Sequence, residues 1–166
     1  MHNSVEVANY FVRKSISEGK PITPMKLVKL CYIAHGWHLG LFDNELIDEF
    51  VQAWQYGPVI ESVYHDFKKY GKDNIMEVAP SFFDGSELIA TGTAVFLDEI
   101  WDLYKQYSAV QLSAMTHQPG TPWWTAWYDM GGKRQQHAII PNDIIKSFYK
   151  EKIIHSNGAD LPISAN

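Results

Sequence analysis

The sequence predicts a mainly α-helical fold: a single compact multi-helix domain with a small β element of two or three strands. Three observations predict it. Apolar residues recur at helical spacing through most of the chain, in segments opened by capping residues and closed by glycine. Only residues 51–56 and 134–140 read as strands. The 166 residues hold no repeat and no low-complexity block, a length for one core rather than two. The domain is expected to occupy residues 1–155, with 156–166, polar and dotted with glycine and proline, as a flexible C-terminal tail.

The elements follow in order. Residues 3–18 read as a helix capped by Asn3 or Ser4, striped by Val5, Ala8, Phe11, Val12 and Ile16, and ended by Gly19. Thr23 caps a second helix, 24–41, with Pro24 at its first position. Leu27, Leu30, Cys31 and Ala34 mark one apolar face of it, and Val28, Tyr32, His35 and Leu39 another. Two such faces predict the central helix. Val51–Tyr56 reads as extended. Gly57, preceding a proline, is expected extended too, and Pro58 is expected to open a helix over 58–70 striped by Val59, Val63, Phe67 and Tyr70. Residues 74–90 read as a loop. Thr91 or Thr93 opens a helix to about Tyr107, Ser108 restarts a short one, and Thr121 with Pro122 starts another that Gly131-Gly132 stops. The 134–140 segment is expected to pair with 51–56. A last helix runs from Pro141 or Asn142 to about Lys152.

Composition narrows the function. Fourteen basic and 19 acidic residues give a net charge of −5, and the basic ones are scattered. A duplex-binding surface needs a basic stripe, so no nucleic-acid partner is expected. One cysteine, Cys31, excludes an internal disulfide and a Cys-based zinc site. No basic stretch followed by an apolar one opens the chain, and the apolar run 30–41 is too short to span a bilayer. A cytoplasmic protein without a membrane partner is expected.

Chemical motifs carry little. His35 and His38 share a helix face and could be joined by His117 in a metal-dependent hydrolase. That helix, however, lacks the glutamate of a His-Glu-x-x-His site. Ser113, Thr116 and His117 have no nucleophile-elbow pattern around them. Catalytic residues, metal and cofactor are therefore all expected to be none. The aromatic run "PWWTAWYD" is more informative. Trp123 and Trp127 lie four apart, as do Trp124 and Tyr128, and one helix cannot aim both pairs at one core. Either neighbouring elements cover both pairs, or Trp124 and Tyr128 stay exposed as anchors for a protein partner. Trp37 and Tyr107 are further candidate anchors.

Three motifs stand in sequence. Leu27, Lys29, Leu30 and Tyr32 make a Leu-x-Lys-Leu-x-Tyr helix; Ala53, Trp54, Gly57, Pro58 and Val59 make an Ala-Trp-x-x-Gly-Pro-Val turn. Leu112, Ser113, Thr116 and His117 make a Leu-Ser-x-x-Thr-His stretch followed by Pro122-Trp123. In this order they resemble the Panacea-domain family, the SocA-like antitoxins and phage-associated GepA-type proteins, over roughly residues 5–130. The resemblance implies a mostly helical domain that neutralises a toxin, encoded in the adjacent gene, by binding it. It also implies an adaptor role, delivering that toxin to an ATP-dependent unfoldase–protease. The alternative readings are a phage or prophage interaction protein without a toxin, and the hydrolase above. Leu27, Lys29, Leu30, Tyr32, Trp54, Gly57, Pro58, Thr116, His117 and Trp123 are assigned structural roles, Gly57, Pro58 and His117 because each satisfies a local backbone requirement.

Overall fold

A computed structural model of the protein describes residues 1–80, 89–156 and 161–162. Residues 81–88 of the loop expected over 74–90, and the tail residues 157–160 and 163–166, lie outside the described residues. Helix α2 (Pro24–Phe42) is the axis of the molecule. The Thr23 side chain accepts from Lys26 N, Pro24 fills the first turn, and buried residues lie on every side of the helix. Around it pack α1 (Ser4–Ser17), α3 (Glu61–Phe67), α4 (Thr91–Tyr104), α5 (Ala109–His117) and α7 (Asn142–His155). The Asn3 side chain caps α1 by accepting from Val5 N, as the sequence predicts. Ser108 and Gln111 form a reciprocal capping box at α5.

Helix α7 packs tightly on α2. Gly36 and Gly40 lie about one turn apart on α2, and Tyr149 of α7 lies against both. A β-carbon at Gly36 would collide with the Tyr149 ring, and one at Gly40 would stand 2.8 Å from Tyr149 Cβ. The ring is wedged edge-on against Trp37 at 5.1 Å and Tyr32 at 6.4 Å.

Residues 51–60 depart from the expected plan. Pro58 does not start a helix. Strands β1 (Gln52–Trp54) and β2 (Gly57–Val59) form an antiparallel hairpin across Gln55-Tyr56, with Ala53 opposite Pro58 and Trp54 opposite Gly57. Gly57 takes φ +114°, which glycine adopts freely and L-residues rarely do. Proline suits this strand because its missing N–H falls on an outward edge. The helix begins only after Ile60. The strand expected over 134–140 shrinks to one antiparallel bridge, Gln52 with Ile139, flanked by Ala53 N donating to Ala138 O (2.7 Å) and Ile140 N to Val51 O (2.8 Å).

Two helix ends also differ. Ala90, not a threonine, precedes α4, and no side chain caps it. The helix after Thr121 is α only over α6 (Pro122–Trp124) and widens into a π turn over Thr125–Asp129.

Candidate functional site: a motif junction and the groove beside it

All three motifs converge on the carbonyls of the hairpin. From α2, the Lys29 ammonium donates to Tyr56 O (3.1 Å) and Pro58 O (3.0 Å), and the residue is only 3% exposed. From α5, Ser113 Oγ donates to Tyr56 O at 3.3 Å. From α6, Trp123 Nε1 donates to Trp54 O at 2.7 Å. The edge of β2 is thereby closed. Pro58 has no N–H to offer, and its outward carbonyl is occupied by a lysine instead of another strand. A β-carbon on Gly57 would stand 2.6 Å from Lys29 Nζ, so the amine fills the space that a side chain at 57 would need.

The remaining motif residues brace this joint. Leu27 and Leu30 are fully buried. Thr116 Oγ1 donates back to Leu112 O at 2.9 Å. His117 Nδ1 meets Ser113 O, one turn back in the same helix, and its ring stands edge-on to Trp123 at 5.5 Å. The Tyr32 hydroxyl is buried and has no hydrogen-bond partner among the described residues. Tyr32 lines a partly open cavity of about 80 Å³ with Tyr104, Thr116 and Tyr149.

Lys29 has no carboxylate partner among the described residues, and burial pulls its pKa from an ordinary 10.5 down to about 7. A lysine whose folded pKa is depressed binds fewer protons folded than unfolded between those two values. Its contribution is therefore fully present above pH 10.5 and lost as pH falls through about 7. Urea unfolding should show stability rising from pH 7 to pH 9 by roughly 2 kcal/mol more in the wild type than in Lys29→Met, at about 1.4 kcal/mol per pH unit for one proton. Parallel pH profiles in the two proteins would mean that the amine is fully solvated.

Beside Lys29 opens a groove of about 500 Å³. Met25, Val28, Trp54, Tyr56 and Tyr64 give it apolar walls, and among the described residues its only charged lining residues are Lys29 and Lys68. Met25 is 46% and Tyr56 71% exposed. The Trp54 and Tyr64 rings meet edge-on at 4.8 Å.

The expected anchors separate. Tyr128 is 47% exposed, and its ring lies 4.3 Å from that of the half-buried Trp124. Trp123 is buried, and Trp127 stacks on it at 5.5 Å. Trp37 is not a surface anchor: it is 4% exposed, and its indole N–H donates to Tyr104 Oη at 2.8 Å. Tyr107 is half-buried, 6.0 Å from Tyr104. The three histidines are not brought together. His35 Nε2 pairs with Asn142 Oδ1 at 3.1 Å, His38 Nδ1 meets Asn44 O at 2.7 Å, and His117 is engaged with α5. Among the described residues no group of three His, Cys, Asp or Glu side chains is placed to hold a metal ion. Burial pushes the Cys31 thiol up, away from a reactive thiolate.

Residues 27–124 match the family described as "Antitoxin SocA-like, Panacea domain". The chain belongs to that family. The Panacea match runs from the first residue of the first motif to just past Pro122-Trp123, so it contains the whole junction. Antitoxin SocA of Caulobacter vibrioides (strain NA1000 / CB15N) is 30% identical to this Panacea-domain chain over 124 residues, 70% of the chain and 66% of that relative. The chain thus spans just under two thirds of the relative's length. No solved structure matches it. No described helix is long and apolar enough to cross a membrane.

Sequence reading did not single out Gly36, Gly40 or the groove residues Met25 and Lys68 of this Panacea domain. The four-residue spacing of the two glycines was the one available signal. The groove had none, since its walls come from segments far apart in sequence.

Proposed function

We propose that this Panacea-domain chain neutralises a partner toxin by binding it directly and covering its active surface, with no bond-breaking step of its own. The family match across all three motifs carries the reading. The geometry agrees with it. The motif side chains of Lys29, Ser113 and Trp123 are engaged with the protein's own backbone, while Tyr56, Tyr128 and Met25 remain exposed. Exposed aromatic and methionine side chains are what interface hot spots are built from.

Co-expression with the product of the adjacent gene tests the proposal. The neighbour should arrest growth alone, be tolerated beside this chain and co-purify with it. A harmless neighbour that never co-purifies would refute it. Its half-life with and without this chain separates occlusion from delivery to an ATP-dependent protease, because only delivery shortens it. Trp124→Ala with Tyr128→Ala should weaken rescue; Tyr128→Ala alone should shift Tm by no more than about 3 °C, as expected for truncating a half-exposed side chain at near 1 kcal/mol, and the half-buried Trp124 should add a modest further loss. A much larger drop would make the pair part of the core.

A further inference from the structure

We infer that the groove beside Lys29 docks an amphipathic segment of the partner protein, which inserts an apolar side chain between Met25, Trp54 and Tyr64 and sets an acidic side chain against Lys29. This rests on the reading that the chain acts by binding a partner. The groove's volume, about 500 Å³, falls in the range of pockets that enclose a few large side chains. Its walls are apolar, and Met25 and Tyr56 stand open to solvent.

Charge selects the occupant. In a chain of net charge −5, the groove's lining among the described residues holds two lysines and no carboxylate. Neither lysine has an ion-pair partner among the described residues. An ammonium has three donors, and Lys29 commits two, to Tyr56 O and Pro58 O. The third has no partner among the described residues, and Lys29 lines the groove, so a carboxylate entering there would find the amine already desolvated and held in place. Burial alone weakens the protonated form of this amine, and an arriving carboxylate restores it. Backbone pairing is not the mode of docking. Pro58 offers no N–H, and Lys29 occupies its carbonyl, so an incoming strand finds no ladder to extend. The occupant must therefore enter through its side chains.

The test uses the full chain and the purified product of the adjacent gene, with affinity measured by calorimetry. Lys29→Met and, independently, Met25→Glu should each weaken binding at least tenfold, while Lys152→Ala, whose side chain is remote from the groove lining, leaves it unchanged. Met25 is exposed, so its variant tests the groove even if Lys29→Met fails to fold. Wild-type affinity in Met25→Glu would overturn the groove while leaving toxin binding intact. Weakening by Met25→Glu but not by a folded Lys29→Met would overturn the acidic side chain. A concentration-dependent dimer of this chain alone, abolished by Met25→Glu, would make a second copy the occupant and overturn the inference. A wild-type chain that does not bind the neighbour at all would remove both this inference and the function it rests on.

Discussion

Gly36→Ala should lower the melting temperature by roughly 5–10 °C. The expectation comes from the site and not from the residue type. In an ordinary helix, exchanging glycine for alanine stabilises by about 0.5–1 kcal/mol. Here the added methyl would collide with the Tyr149 ring. That ring is 3% exposed and packed against Tyr32, Trp37 and Phe148, so it can move only by giving up those contacts. Overpacking of this kind costs about 1–3 kcal/mol, occasionally more. With so severe a collision placed at the upper end of that range, and the helix gain subtracted, the net loss is about 2.5 kcal/mol, which at about 2–4 °C per kcal/mol for a chain of this size gives the stated drop. Tyr149→Leu should cost stability alone yet recover part of it in the Gly36→Ala background, a coupling that independent sites would not show. A Tm unchanged or raised by Gly36→Ala would mean that α7 does not dock on α2 at this distance.

How much could be read beforehand divides along a physical line. Caps and periodicity act within a few residues. Accordingly, Asn3, Thr23 and Ser108 announced α1, α2 and α5, and the two-sided apolar pattern of α2 announced its central place. Pro58 misled because proline has two comfortable positions, the first turn of a helix and the outer edge of a sheet. Local rules do not choose between them. Lys29, an α2 side chain reaching Pro58 O from far along the sequence, makes the edge position the stable one. The π turn after Trp124 was hidden for a similar reason: the aromatic spacing is equally compatible with α geometry. Of the candidate site, the motif order was legible, but the groove exists only once α2, the hairpin and α3 are packed together.

Gly57→Ala should be the most damaging single change in the motif junction, on the order of 3–5 kcal/mol, from two separable sources. The first is backbone strain. At φ +114° an alanine is held in a region that costs about 1–3 kcal/mol. The second is displacement of Lys29, since the new methyl would lie 2.6 Å from Nζ. Moving the amine leaves Tyr56 O and Pro58 O without their donor, at about 1–3 kcal/mol for a buried group so orphaned. Lys29→Met distinguishes the sources. Methionine ends about where Lys29 Cε lies, 3.4 Å from the built β-carbon, which is ordinary contact. In a Lys29→Met background Gly57→Ala should therefore cost only the strain, about 1–3 kcal/mol. Urea unfolding of the four proteins gives the coupling energy directly, and the cycle should miss additivity by the displacement cost, about 1–3 kcal/mol. Additive costs would mean that the amine does not occupy the glycine's empty face and that Gly57 serves backbone conformation alone.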